Sequence, residues 1–583
     1  MKNLRVFLWI GLALILFVNY QTWNLEYAPA DAAAAAVAQQ AIDDQKVNAP
    51  PTADVPTVDT AADAPAALGS AAATDLPAAT LPAGSTPADS AGAAPAGILN
   101  VRTDVLDVDI SLEGGQLVRA DLLDYRVKKG EDEVVRLLRQ GAADNQYLLQ
   151  TGLNGDSSAA APQSYPTHHA LFTCVFSGFL LQDGLDEIRV PLEWTSPQGV
   201  EVTKTLIFRR GSYRVDVEYE VKNGSMMAWT AAPYAQIVHD MPPLKRSYFN
   251  VDSYSFTGPA YWNSIEKYHK LKPTADAARD FNSEYPDGWN DGWIASLQHH
   301  FVVAIVPPTR DERHRHALSV SGDMFRFSDV GPAVDVAPGA SAEIKQTLFI
   351  GPKLQHQLAA VHPELKRAAD FGKLTFIAQP LFWLLEQAHK IFRNWGFAII
   401  AITFLLKLAF YPLSEIAGRS AAKMKLMAPR MKQLQEQYKD DRAKLGQATM
   451  DLYKKEKINP AAGCLPMLIQ LPVFMAFYWV LLESVEMRQA PFIGWIHDLS
   501  SRDPLYILPV IMAGAMFLQY RIQPPSADPV QAKVFMIMPF VMSITFAFFP
   551  AGLVLYWVTN TILTILQQWN INRRIQVAAA VRN

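Results

Sequence analysis

The chain has 583 residues, a formal net charge of −4 at pH 7 and a mean hydropathy of +0.04. It is 50% hydrophobic and 19% charged, an average that hides a water-soluble middle and an apolar C-terminal third. A charge this small singles out no class of partner, and no direct nucleic-acid contact is expected. The two cysteines, Cys174 and Cys464, lie in segments of different character, which excludes a disulfide-built scaffold.

Residues 1–27 read as a signal-anchor span. Lys2 and Arg5 precede an apolar run from Val6 to Val18, and Tyr20 and Trp23 follow it as interfacial aromatics. Residues 28–97 form an Ala/Pro-rich linker with too little large apolar surface to fold. From 98 to 352 the pattern is β. Tyr213, Val215, Val217, Tyr219 and Val221 alternate with Arg214, Asp216, Glu218 and Glu220, the period of a half-buried strand, and Lys222-Asn223-Gly224 supplies a turn. Leu106, Val108 and Ile110 alternate with Asp107 and Asp109, while Val200, Val202, Leu206 and Phe208 share a face. Phe301–Val306 is wholly apolar and Ile344–Ile350 ends the series. Many short strands and few helical patterns predict a large antiparallel β-sandwich.

Residues 353–394 are a connector. Within it Leu381, Leu384, Leu385, Ala388 and Ile391 recur at helical spacing opposite Glu386, Gln387 and Lys390, with Pro380 expected in the first turn. The pattern suits an amphipathic helix at a membrane surface or one packed on the β domain. The second span, 395–413, is WGFAIIAITFLLKLAFYPL, and its only charge is Lys407. A lysine at the centre of a membrane helix costs roughly 2.5–3.5 kcal/mol, so it needs a compensating environment. Thr403, four residues earlier, shares its helical face. Two readings stay open here: Lys407 snorkels roughly 9 Å to the nearer interface, or it faces a polar interior.

Four further spans are expected within 463–570, at 463–485, 505–522, 534–549 and 553–569, interrupted by Pro466, Pro472, Pro509 and Pro539. The loop 414–462 carries eleven basic residues, from Arg419 to Lys457, against six acidic ones, which makes it cytoplasmic by the positive-inside rule. The β domain is then outside, and both termini, including the tail 571–583, inside. In that loop Met427, Met431, Leu434 and Tyr438 fall on one stripe, and Leu445, Ala448 and Leu452 on another. A helical hairpin follows. Its methionine face either receives a hydrophobic client or the ribosome, with Lys423 and Arg430 beside it, or packs the two helices together.

No nucleotide loop or HExxH motif is present, and no catalytic residue, cofactor or metal is expected. The pairs His168-His169, His299-His300 and His314/His316 read as solvated surface histidines rather than ligands. The polar residues inside the spans are Thr403, Lys407, Gln470, Gln519, Ser543, Thr545, Thr559 and Asn560, with no intramembrane Asp or Glu to carry protons. A cation in a hydrated groove attracts acidic segments and lowers the cost of moving polar groups partway across the bilayer, with no bond chemistry.

Four segments carry a resemblance: NWGFAIIAITFLLKLAFYPL (394–413), INPAAGCLPMLIQLPVFMAFYWVL (458–481), APFIGWIHDLSSRDPLYILP (490–509) and FPAGLVLYWVTNTILTILQQ (549–568). They are similar to the YidC branch of the YidC/Oxa/Alb membrane-insertase family, closely over about 376–575. The resemblance implies a polytopic helical core of five spans plus the N-terminal anchor span, a periplasmic β-supersandwich, and a place in the bacterial inner membrane. It implies a non-enzymatic insertase and chaperone whose hydrophilic groove opens to the cytoplasm and to lipid. Its partners would be nascent membrane proteins, the Sec translocon, the ribosome and the targeting receptor. The family's groove usually carries Arg where this chain has Lys407, which keeps the charge but loses the forked geometry. Thr403 and Gln470 match polar groove positions, Tyr556 and Trp557 match the aromatic part of the last span, and Asn560 follows them.

Two rivals remain at this level. A secondary transporter would use Lys407 as an ion or substrate site and would show paired broken helices in two related halves. A sugar-binding protein would gather carboxylates and aromatics in one cleft of the β domain.

Overall fold

The computed structural model describes residues 97–141, 146–155, 164–241, 255–438, 441–456, 465–522 and 529–582. The anchor span and nearly all of the linker lie outside them. The first strands are β1 (Ile98–Arg102), β2 (Leu106–Ser111), β3 (Gln116–Arg126), β4 (Val134–Leu138), β5 (Tyr147–Asn154), β6 (Gly178–Leu180), β7 (Glu187–Thr195), β8 (Val200–Arg209), β9 (Arg214–Asn223) and β10 (Trp229–Asp240). After them come β11 (Gly258–Asn263), β12 (Lys267–Lys270), helix α1 (Ala275–Glu284), β13 (Gly292–Leu297), β14 (Phe301–Val306), β15 (Arg315–Ser321), β16 (Met324–Val330), β17 (Val334–Val336) and β18 (Ser341–Pro352).

These strands make two facing sheets. One runs β15-β16-β10-β5-β3-β2-β1-β6, with β4 on β3 and β17 on β10; the other runs β12-β11-β13-β14-β18-β9-β8-β7. Alternation is the cause: in β2 Leu106, Val108 and Ile110 are buried, and in β9 Val215, Val217, Tyr219 and Val221 are. Val101, Val108, Leu149 and Ile237 of the first sheet share one core with Val190, Leu206, Val217 and Leu348 of the second. The outward residues of β2 pair across strands, Arg119 reaching Asp107 at 2.8 Å and Asp109 at 2.6 Å. The sandwich departs from the expected pattern twice. β1 pairs with β6 in parallel, and helix α1, N-capped by Thr274, interrupts the strands.

The C-terminal part is helical: α2 (Gln355–Val361), α3 (Thr375–Phe392), α4 (Trp395–Ala409), α5 (Tyr411–Leu426), α6 (Ala428–Gln437), α7 (Arg442–Lys455), α8 (Leu465–Glu483), α9 (Ile507–Ile522), α10 (Pro529–Phe546) and α11 (Ala551–Arg582). Pro380 lies in the interior of α3 rather than in its first turn, because the helix starts at Thr375. Leu381, Leu385 and Ala388 are buried as the stripe predicts, but Ile391 is 76% exposed and joins Phe376, Trp383 and Phe392 on the outer side. Arg393, in the left-handed region at φ 51°, ends α3, and Asn394 caps α4 by accepting from the Phe397 N–H at 3.2 Å. The chain therefore reverses sharply between the two helices.

The span expected to run to Leu413 breaks at Phe410, where α4 gives way to α5 at a bend of 66°. Pro412, the second residue of α5, has no N–H to offer the carbonyl four residues back, and its ring crowds that turn. Among the described residues no single helix is long and apolar enough to cross a membrane; α4 and α5 pass that test only as a bent pair. Helices α3, α4, α8, α9, α10 and α11 share a second core that includes Leu385, Ile402, Phe477, Val480, Met512, Phe546, Val554 and Tyr556. Their outward faces are apolar as well: Phe404, Leu405 and Leu408 on α4, Val510 and Leu518 on α9, and Val534, Phe535, Ile537, Phe540, Val541 and Ile544 on α10 are exposed.

Candidate functional site

Four polar residues from the sequence reading converge between α4, α8 and α11. Thr403, Lys407, Gln470 and Asn560 line a cleft together with Leu406, Phe410, Leu413, Ser414, Val473 and Tyr556. Its empty space is about 420 Å³, but a water centre can occupy only about 20 Å³ of it. That is room for a water or so, not for a helix.

Lys407 points into the helix bundle. Its Nζ turns inward and donates to the Thr564 hydroxyl at 2.8 Å, and Thr564 donates to the Asn560 carbonyl at 2.7 Å. Asn560 Oδ1 accepts from Gln470 Nε2 at 2.6 Å, so lysine, threonine, asparagine and glutamine form one chain of hydrogen bonds across α4, α11 and α8. Thr403, buried one turn above Lys407, gives its hydroxyl to the Ile399 carbonyl at 2.6 Å. Tyr556 is buried and its ring stacks on Phe477, with centroids 4.6 Å apart.

Thr564 was missed by the sequence reading, although its spacing of four from Asn560 on one helical face was an available signal. Trp557, by contrast, is turned out of the cleft and packs on Phe474 at 4.9 Å and Phe546 at 5.2 Å. Ser543, Thr545 and Thr559 do not join it either, since each donates to a nearby carbonyl: Pro509, Val541 and Leu555 respectively. The expectation of no carboxylate in the spans needs correction. Glu483 ends α8, buried, and accepts from the Ser255 hydroxyl at 2.8 Å on the β-domain side.

The hairpin residues divide. Met427 is buried, and Met431 accepts the Thr449 hydroxyl of α7 at 3.7 Å, so Met431 faces the hairpin's other helix. Lys423 and Arg430 are exposed, and Arg430 pairs with Glu456 at 2.8 Å.

The histidine pairs are not simply solvated, because tertiary packing buries one or both members. His168 is buried with Nδ1 2.6 Å from the Tyr234 hydroxyl. His299 and His300 stack at 3.7 Å and both reach the Leu482 carbonyl at the C-terminal end of α8, at 2.9 and 3.2 Å. Imidazole N–H groups thus satisfy a helix-end acceptor that the helix itself cannot. His314 and His316 flank the buried Asp329, each 3.0 Å from it. Burial alone would raise the Asp329 carboxyl, but the two imidazoles outweigh it and hold it well below the usual carboxylate range. Burial alone would lower His314, yet Asp329 raises it, whereas burial prevails at His316 and keeps it low.

Two family models match the chain: the 60Kd inner membrane protein model over residues 387–578 and the YidC periplasmic domain model over 98–384. The membrane protein insertase YidC of Thioalkalivibrio sulfidiphilus is 44% identical over 585 residues, covering 99% of both chains. That of Methylobacillus flagellatus is 45% identical over 482 residues, 83% of this chain and 85% of its own. A crystal structure of an active YidC insertase with its first transmembrane domain resolved aligns over 81% of this chain and 92% of its own, at 18% identity and TM-score 0.37.

Proposed function

The chain belongs to the YidC family of membrane protein insertases, and from that premise we propose that it is an inner-membrane insertase and chaperone working through the cleft at Lys407. The observation that carries the reading is the inward Lys407, bonded to Thr564 at 2.8 Å among helices whose outer faces are apolar. An inward cation with water beside it attracts the acidic or polar flank of an entering segment. The cleft is too narrow for a helix, so the client's hydrophobic segment slides along the lipid-facing side of α8 and α10, with only its polar flank near Lys407. A contiguous apolar exterior of this kind suits lipid rather than water.

In this reading helices α4, α8, α9, α10 and α11 are the five spans, joined by the N-terminal anchor. The β domain is periplasmic, and α5 to α7 and both termini are cytoplasmic. The hairpin presents Lys423 and Arg430 to the ribosome or targeting receptor, and the Sec translocon is a further partner. The test is insertion of a single-span protein with an acidic outer tail into liposomes, with and without the purified full chain. Insertion rises with the protein and falls for Lys407→Glu but not for Lys407→Arg. If insertion is equal with and without the protein, unaided insertion is wrong for that client, and a transporter using Lys407 gains.

A further inference from the structure

A second cavity, of about 560 Å³, opens between the β domain and the connector that joins α8 to α9. The β3–β4 turn, Val127 to Gly130, forms one wall; Gln489, His497, Asp498 and Ser501 form the other. Lys129 lines it. Its Nζ donates to the Gln489 carbonyl at 2.9 Å and to the His497 carbonyl, and it makes no ion pair with any described carboxylate. An ammonium has three donors. Two are taken by neutral carbonyls, which leaves one donor of this exposed ammonium for a further acceptor; Asp498, the one carboxylate lining the cavity, makes no ion pair with it.

The other wall is built to hold that lysine. Gln489 sits at φ 59°, a left-handed conformation that a non-glycine residue adopts only under constraint. The constraint is visible: its N–H donates to Asp498 Oδ1 at 3.0 Å and its side-chain amide to the Arg126 carbonyl at 2.8 Å. Asp498 Oδ1 is further engaged by the Ser500 N–H and hydroxyl, at 2.8 and 2.7 Å. Lys128, next to Lys129, is exposed and makes only a 3.4 Å pair with Glu131. Val127 in the wall and Ile493 on the connector are exposed apolar residues.

We propose that this junction binds a phosphate-bearing anion, with Lys129 as the fixed cation and Lys128 as the mobile one. Lysine serves phosphate as a point charge and needs no fork. The inference rests on the proposed topology for the source of the anion. There the connector lies at the outer face of the bilayer, and the phosphodiester of an anionic lipid reaches the cavity while Val127 and Ile493 meet its chain.

The test is protection of Lys129 from an amine-reactive, membrane-impermeant reagent, read peptide by peptide by mass spectrometry on the full chain in sealed vesicles. Vesicles of phosphatidylcholine alone are compared with vesicles containing phosphatidylglycerol and with phosphatidylcholine vesicles plus inorganic phosphate. Lipid binding slows Lys129 labelling about tenfold at ligand near ten times Kd, and Lys128→Gln weakens the protection without touching the carbonyl contacts of Lys129. Protection by inorganic phosphate alone supports the anion site and assigns it to a soluble phosphate. Equal labelling in all three conditions overturns the proposal. Labelling of Lys423 reports topology separately. If Lys423 reacts in the population of vesicles where Lys129 does, the topology has failed, whatever the lipid dependence.

Discussion

Thr564→Val removes one hydroxyl from the middle of the hydrogen-bond chain and leaves its shape. In the wild type that hydroxyl accepts from Lys407 Nζ at 2.8 Å and donates to the Asn560 carbonyl at 2.7 Å. A hydrogen bond to a charged group is worth about 1.5–3 kcal/mol in general, but side-chain bonds between membrane helices average about 0.6 kcal/mol. The cleft has about 20 Å³ open to water centres, enough for one water to take over as acceptor. The expected loss therefore lies between these limits, about 1 kcal/mol, or about fivefold in initial insertion rate. The assay is reconstituted insertion of a single-span client with an acidic outer tail. Thr564→Ser retains the wild-type rate. In a double-mutant cycle with Lys407→Met, the valine change costs nothing further once the ammonium is gone. Additivity to within about 0.3 kcal/mol would refute the reasoning, because it would mean that Lys407 and Thr564 act independently.

Other outcomes follow from the same geometry. Asp329→Ala takes away the acceptor that two buried imidazoles share; burial then favours uncharged His314, and the unsatisfied ring N–H groups lower β-domain stability by about 1–3 kcal/mol, measured as a drop in the thermal midpoint with Trp289, stacked 3.7 Å from His316, as the optical reporter. The depressed Asp329 carboxyl contributes stability that is present above about pH 4 and lost as pH falls toward its folded value. Near pH 6.5 the raised His314 and lowered His316 contribute with opposite signs and cancel in part; because Asp329 pulls both imidazoles upward, the gap between wild type and Asp329→Asn widens as pH falls through the histidine range and narrows only below about pH 4, as Asp329 itself takes a proton. A gap that stays constant from neutral pH to below the carboxylate range contradicts this. At Gly396 a Cβ would come within 2.0 Å of the Phe492 ring; Gly396→Ala costs about 1–3 kcal/mol by overpacking, and Phe492→Leu in the same chain restores part of it in a detergent melting experiment. The Arg430–Glu456 pair is exposed and contributes less than about 1 kcal/mol. Lys423→Glu with Arg430→Glu accordingly leaves the melting temperature unchanged while reducing salt-sensitive co-sedimentation with ribosomes; unchanged co-sedimentation removes these residues from that contact.

Local periodicity determined much of this molecule before any folding. The two-residue alternation in Val215–Val221 produces β9 because only one face of a strand can be buried at a time. The apolar runs around Lys407, Phe477 and Val554 produce helices that share one core. The isolated lysine also marked its own importance, since a charge there demands a partner. What that partner is was decided only by tertiary structure. Thr564 lies 157 residues away, and nothing in the period of α4 says which residue of α11 will face it. The same holds for the histidines. His299 and His300 look like a polar loop until folding brings the end of α8, 182 residues on, against them, and His314 and His316 look solvated until β16 places Asp329 between them. The methionine stripe was legible as a stripe, but its partner was not, because a hydrophobic face shows that something covers it and not what. Spacing along the chain sets which residues share a face. Which faces meet is set by the packing of distant segments, and the bonds at Lys407, Lys129 and Asp329 all belong to that second kind.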